Sequence, residues 1–171
     1  MAAFVALFDE AAFQQVLREI SGAVSFIHDG SPRGVKTRYH DSADKNLVGD
    51  YLFEKLVGYG YTVEFDDFIY NGTPCRNLVA TKTGVTSPDE YVVVGGHYDS
   101  TSEQPAALAP GAEDNGSGSS LVMEVARMAA EPVVRVSHQI SANCTDMVPT
   151  RESACPPQRM KKGIIGTPRL E

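Results

Sequence analysis

Tyr91-Val-Val-Val-Gly-Gly-His-Tyr-Asp-Ser100 is the stretch on which the reading of this 171-residue chain turns. Tyr91 to Val94 form a short, uncharged, largely β-branched run, the pattern of a strand buried on both faces of a sheet. Two glycines then lead to His97, Tyr98 and Asp99. In open α/β sheets, ligands bind beyond the carboxyl ends of such strands. Side chains two apart on a strand point to the same face. The Asp99 carboxylate can therefore accept a hydrogen bond from the His97 ring and fix its tautomer, as happens for metal-binding histidines.

Downstream, Asp99 to Gly118 reads as a long loop that includes Ala109-Pro-Gly-Ala-Glu-Asp-Asn-Gly-Ser-Gly118. Its small residues allow the Asp114 carboxylate to approach the same point. An imidazole with carboxylates suits Zn²⁺, and one shared carboxylate can hold two ions. Leu121, Val122, Val125, Met128 and Ala129 then predict a helix over about 119–130. Upstream, Phe13, Val16, Leu17 and Ile20 line one face of a helix that starts at the N-terminus and ends near Ile20. A loop-rich stretch covers 21–39. A helix over about 43–57 follows, with Ser42 or Asp44 as its cap. Strands are expected at 61–65, extended or paired by 68–70, and at 77–81, with Asn71-Gly72 as a turn. Gly84 to Asp89 reads as a loop. This alternation predicts an α/β fold with a layered sheet.

Composition narrows the function. Fifteen basic residues against 22 acidic leave a net charge of −7, which disfavours a nucleic-acid surface. No apolar run has the length to cross a bilayer. Cys75, Cys144 and Cys155 are too scattered for a zinc-finger spacing, and three cysteines are too few for a disulfide scaffold. Met1 to Phe8 lacks the basic start, longer apolar core and small-residue cleavage site of a secretory signal, so no compartment is indicated. His28 and His40 read as ordinary surface residues of loops, and Cys75 as a small buried hydrophobe. Charge is unevenly distributed: residues 1–131 carry 9 Lys/Arg and 19 Asp/Glu, whereas residues 132–171 carry 6 and 3.

Alone, a His-x-Asp at a strand end is ordinarily structural, and a single loop aspartate is ordinarily a helix cap. The two segments together, Val94-Gly-Gly-His-Tyr-Asp-Ser100 and Ala109 to Gly118, closely resemble the M28 family of zinc peptidases, of the aminopeptidase Y/leucyl aminopeptidase type. Thr37-Arg-Tyr-His40, the 43–57 helix, Asn77-Leu-Val-Ala80 and Leu121 to Arg127 extend the likeness over roughly residues 8–131. The resemblance implies a layered α/β/α zinc-exopeptidase-like fold with a mixed central sheet. It implies His97 as a zinc ligand, Asp99 as the carboxylate that orients it, and Asp114 as the aspartate bridging two zinc ions. It implies peptide or protein substrates, shortened from their N-termini, and no nucleic-acid or membrane partner.

The resemblance also implies a following strand with a Glu-Glu pair, supplying the general base and a ligand, and a later acid and histidine. Residues 132–171 contain no such pair; Glu152 has unlike neighbours, and His138 comes too early. We therefore expect residues 1–131 to be the N-terminal portion of an M28-like domain. The fold is expected to break off after the helix ending near Glu131, and 132–171 to be an atypical tail, disordered or foreign to the family. Such a chain should bind zinc weakly, hydrolyse little, and expose apolar surface along an unpaired sheet edge. Two alternatives stand beside the peptidase: a glutaminyl-cyclase-like enzyme with one zinc, and a non-catalytic interaction module.

Overall fold

A computed structural model describes residues 2–136 and 138–145 of the chain. Among the described residues, four α-helices, α1 (Ala2–Val5), α2 (Glu10–Ile20), α3 (Ala43–Gly58) and α4 (Ser117–Ala130), accompany six strands. The strands are β1 (Phe26–His28), β2 (Ser31–Arg33), β3 (Thr62–Tyr70), β4 (Thr73–Lys82), β5 (Ser87–His97) and β6 (His138–Thr145). The first two form a separate hairpin, and the rest form a sheet in the order β3-β4-β6-β5. The β3–β4 and β4–β6 pairs are antiparallel and β5–β6 is parallel, so the sheet is mixed.

Local chemistry accounts for the boundaries. The expected N-terminal helix is two helices, because Asp9 leaves the helical conformation and caps α2, its side chain accepting from the Ala12 amide at 3.1 Å. Ser42 is the cap of α3, accepting from the Lys45 amide. Asp44 instead accepts from the Lys36 amide at 2.8 Å and fixes the preceding chain. Asn71 and Gly72 both have positive φ, as a two-residue hairpin turn requires, and they join β3 to β4.

One sheet expectation fails and one element was missed. Tyr91, Val92 and Val93 are 54%, 41% and 46% exposed rather than buried on both faces, because β5 stands at the sheet edge. The sheet does not stop at Glu131, however: residues 138–145 form β6, inserted between β4 and β5. In His138-Gln-Ile-Ser-Ala-Asn-Cys-Thr145 only Ile140 is a large aliphatic residue. Neither an apolar run nor an alternation marks it as a strand, and it is recognisable only by its backbone pairing on both sides. The remainder of the expected tail, 146–171 with Glu152, lies outside the described residues.

The core gathers Ile20 from α2, Val48, Leu52 and Leu56 from α3, Leu78 and Ala80 from β4, and Val122, Met123 and Ala126 from α4. Cys75 is buried, as expected. Tyr51 and Tyr61 are buried with this cluster, and Tyr59 packs against it. Burial raises the Tyr61 phenol to about 12. Tyr59 is also raised, chiefly by burial, and Tyr51 by burial and its hydrogen bond to Glu19. A phenol that ionises later in the folded state than its ordinary 10.0 contributes stability below that value and loses it as pH climbs through the folded value. Stability is expected to fall between about pH 10 and about pH 12. Denaturation midpoints measured across that window should drop, and Tyr61→Phe should flatten the drop; an identical pH slope in the variant would contradict this assignment.

Candidate metal centre

β5 ends at His97, and the chain then delivers Tyr98, Asp99 and Ser100 into the interior. Tyr98 is fully buried, its hydroxyl donating to the Arg76 carbonyl at 2.9 Å. Asp99 is buried with its Oδ1 3.2 Å from His97 Nδ1, and its own carbonyl oxygen is equally close to that nitrogen. On the opposite side of the ring, His97 Nε2 lies 3.1 Å from Asp114 Oδ1. The imidazole is thus held between two carboxylates. Asp99 is 8% exposed and Asp114 is 75% exposed, so the site opens toward solvent on the Asp114 side.

The loop that carries Asp114 is tied down at several points. Ala109 forms a parallel bridge with Thr37, with hydrogen bonds from Arg38 N to Ala109 O and from Ala109 N to Lys36 O. Ser100 N donates to the Arg38 carbonyl at 2.9 Å. Residues 112–116 form one irregular turn in which Asp114 and Asn115 have non-helical φ/ψ, and the peptide between these two is cis. Asn115 Oδ1 then accepts from the Gly118 amide at the start of α4. Gly118 is required here, since a Cβ would overlap the Asn115 side chain. Gly111, with φ +51°, would set a Cβ 2.6 Å from the Asp114 carbonyl oxygen. Ser119 Oγ donates to the His97 carbonyl at 2.7 Å, joining α4 to the end of β5.

Arg38 lies beneath this arrangement and is fully buried. Its guanidinium donates to the carbonyls of Tyr98, Ile20, Pro110 and Gly111. It therefore clamps the strand end, the end of α2 and the loop before Asp114. Burial lowers the guanidinium to about 10, against the opposing pull of Asp99 and Asp114; it remains charged at neutral pH. Arg38 stood in the sequence within Thr37-Arg-Tyr-His40, but nothing in its neighbourhood marked it as buried. The role of Ser119 was equally invisible, because a serine at a helix start ordinarily reads as a cap.

The three residues expected from the sequence, His97, Asp99 and Asp114, are thus together. Their chemistry fits a zinc-class ion: in the tautomer whose Nδ1 proton points to Asp99, the Nε2 lone pair faces a carboxylate oxygen. Donors on a tetrahedral ion are roughly 3.3–3.6 Å apart, close to the 3.1 Å seen between Nε2 and Asp114. His138 does not join them. It pairs in register with Ser87, at the far end of β5 from His97, and its Nε2 is 3.0 Å from Glu90.

The mixed α/β sheet that carries this His-Asp-Asp cluster at a strand end has the fold of solved zinc exopeptidases. Residues 77–147, the stretch that carries the site, match peptidase family M28, and the likeness read from its motifs holds. A probable zinc metalloprotease of Pyricularia oryzae is 49% identical over 117 residues, which cover 59% of this chain and 23% of that protein. The crystal structure of a leucine aminopeptidase precursor from Bacteroides thetaiotaomicron shares the fold with a TM-score of 0.63 at 18% identity, over 81% of this chain and 47% of that one. Porphyromonas gingivalis glutaminyl cyclase shares it with a TM-score of 0.64 at 18% identity, over 82% and 48%. The chain therefore spans about a quarter of the fungal protein and under half of either structure.

Proposed function

We propose that this chain carries part of a zinc-dependent aminopeptidase site that removes N-terminal residues from peptides or proteins. The observation that carries the reading is His97 held between Asp99 and Asp114 on family M28 sequence. His97 and Asp114 would hold the metal, with Asp114 positioned to bridge a second ion, and Asp99 keeps the imidazole in the ligating tautomer. Bound zinc supplies Lewis acidity toward the scissile carbonyl and a lowered pKa for water. The chain's own residues bind and orient; the proton transfers are assigned by the resemblance to a glutamate of the Glu-Glu pair, which residues 132–171 do not contain.

Zinc titration and an assay on a leucyl chromogenic substrate test this with the 171-residue chain. We expect weak zinc binding that depends on His97, and little or no turnover. Two tightly held zinc ions with turnover would overturn the expectation of low activity. Zinc binding indifferent to His97 would overturn the metal centre itself. The glutaminyl-cyclase reading, with one zinc, is supported by the fold of the Porphyromonas gingivalis enzyme. The naming of the fungal relative and the Glu113-Asp114-Asn115 loop favour the peptidase. Cyclisation of an N-terminal glutamine peptide, without release of residues, would reverse that preference.

A further inference from the structure

We propose that His28, Asp29 and Glu54 form a second divalent-cation site, separate from the strand-end centre, that links the β1–β2 hairpin to α3. His28 ends β1, and Asp29 and Gly30 are the two positive-φ residues of its hairpin turn. Glu54 lies in α3, far away in sequence. His28 Nδ1 is 3.0 Å from Glu54 Oε1 and His28 Nε2 is 3.4 Å from Asp29 Oδ2. One donor atom from each of the three residues lies within 4.8 Å of the other two.

Three observations set this cluster apart from an ordinary surface ion pair. The His28 side chain is only 12% exposed, in a strand rather than the surface loop expected from the sequence. Its Nδ1 is buried and makes no hydrogen bond, despite its closeness to Glu54. Neither carboxylate forms an ion pair with Lys or Arg, so an imidazole is their one ionic partner among the described residues. A buried Nδ1 beside the Glu54 carboxylate, with the Asp29 carboxylate on the Nε2 side to orient the ring and add negative charge, is a donor set of the type that takes Zn²⁺, Co²⁺ or Ni²⁺. The 3.0 Å between Nδ1 and Glu54 Oε1 lies close to the roughly 3.3–3.6 Å between neighbouring donors on a tetrahedral ion. The exposed carboxylates leave a path for the ion and room for water to complete its coordination. Bound there, a cation would cross-link the hairpin to the helix and stabilise the chain through its preference for the folded state.

Cobalt(II) titration tests the proposal, followed by the visible absorbance of nitrogen- and oxygen-ligated cobalt. The full chain carries His97→Ala and Asp114→Asn, so the result does not depend on the proposed peptidase centre. One saturable equivalent of cobalt is expected. Glu54→Gln and Asp29→Asn, both at exposed side chains, should each weaken it at least tenfold, and His28→Gln should abolish it. His40→Gln and His138→Gln should leave it unchanged. Absence of saturable binding in this background, or binding that Glu54→Gln and Asp29→Asn leave intact, would overturn the site. So would loss of binding on changing His40 or His138.

Discussion

Replacing His97 with alanine is expected to reduce zinc affinity on the order of a hundredfold or more, with Asp114→Asn close behind. Among the described residues His97 contributes the one imidazole at this centre, and its Nε2 faces Asp114 Oδ1 at 3.1 Å. Removing the ring removes the nitrogen donor, and removing the Asp114 charge removes the anionic partner of the ion. Asp99→Asn should cost less, about 10–100-fold. The amide can still lie against Nδ1 but no longer attracts its proton as a charged acceptor. Isothermal titration with zinc, alongside circular dichroism to verify folding, measures all three. Equal affinity in wild type and His97→Ala would mean that zinc is not held at the end of β5. A loss for Asp99→Asn as large as that for His97→Ala would make Asp99 a ligand rather than an orienting group.

Arg38→Met is expected to destabilise the chain by about 3–5 kcal/mol. The buried guanidinium satisfies four carbonyls drawn from three separate segments, and Met would leave them without this donor, those of Tyr98 and Ile20 in the interior. Asp99 and Asp114 would lose the nearby cation whose field they share. Against a typical total stability of about 5–15 kcal/mol, that loss removes much of the folding free energy. Arg38→Lys should fall between the two, because an ammonium restores charge without the planar fork that reaches several acceptors. Urea denaturation of wild type and both variants measures this. A Met variant within about 0.5 kcal/mol of wild type, the range of an ordinary surface change, would contradict the clamp role.

Much of the site was legible in the primary structure, since its residues lie in two short segments whose spacing is set by local backbone. His97 and Asp99 are two apart, and the Gly-rich turn brings Asp114 to the same end of the sheet. Less was legible about what holds them. Arg38 reaches Tyr98, Pro110 and Gly111 across 60 to 73 residues, and such contacts leave no periodic trace. His28 looked like a loop residue because Gly30, Pro32 and Gly34 surround it with breakers. The breakers do mark turns, but a two-residue turn leaves space for short strands on both sides. Glu54 was likewise an ordinary exposed position of an amphipathic helix until the hairpin was set against it.

By itself, then, the sequence determined helices α3 and α4, the turn between β3 and β4, the grouping of His97, Asp99 and Asp114 as a candidate site, and the likeness to family M28. These depend on local spacing, capping and turn chemistry, which act over a few residues. Only the tertiary structure decided where each strand stands. Tyr91 to Val94 has the composition of a central strand, yet it lies at the edge, and the poorly patterned 138–145 segment lies inside. Strand order is set by hydrogen bonding between backbones distant in sequence, and that pairing is common to all side chains. The same pairing carries the sheet beyond Glu131, where the loss of the family pattern had placed its end.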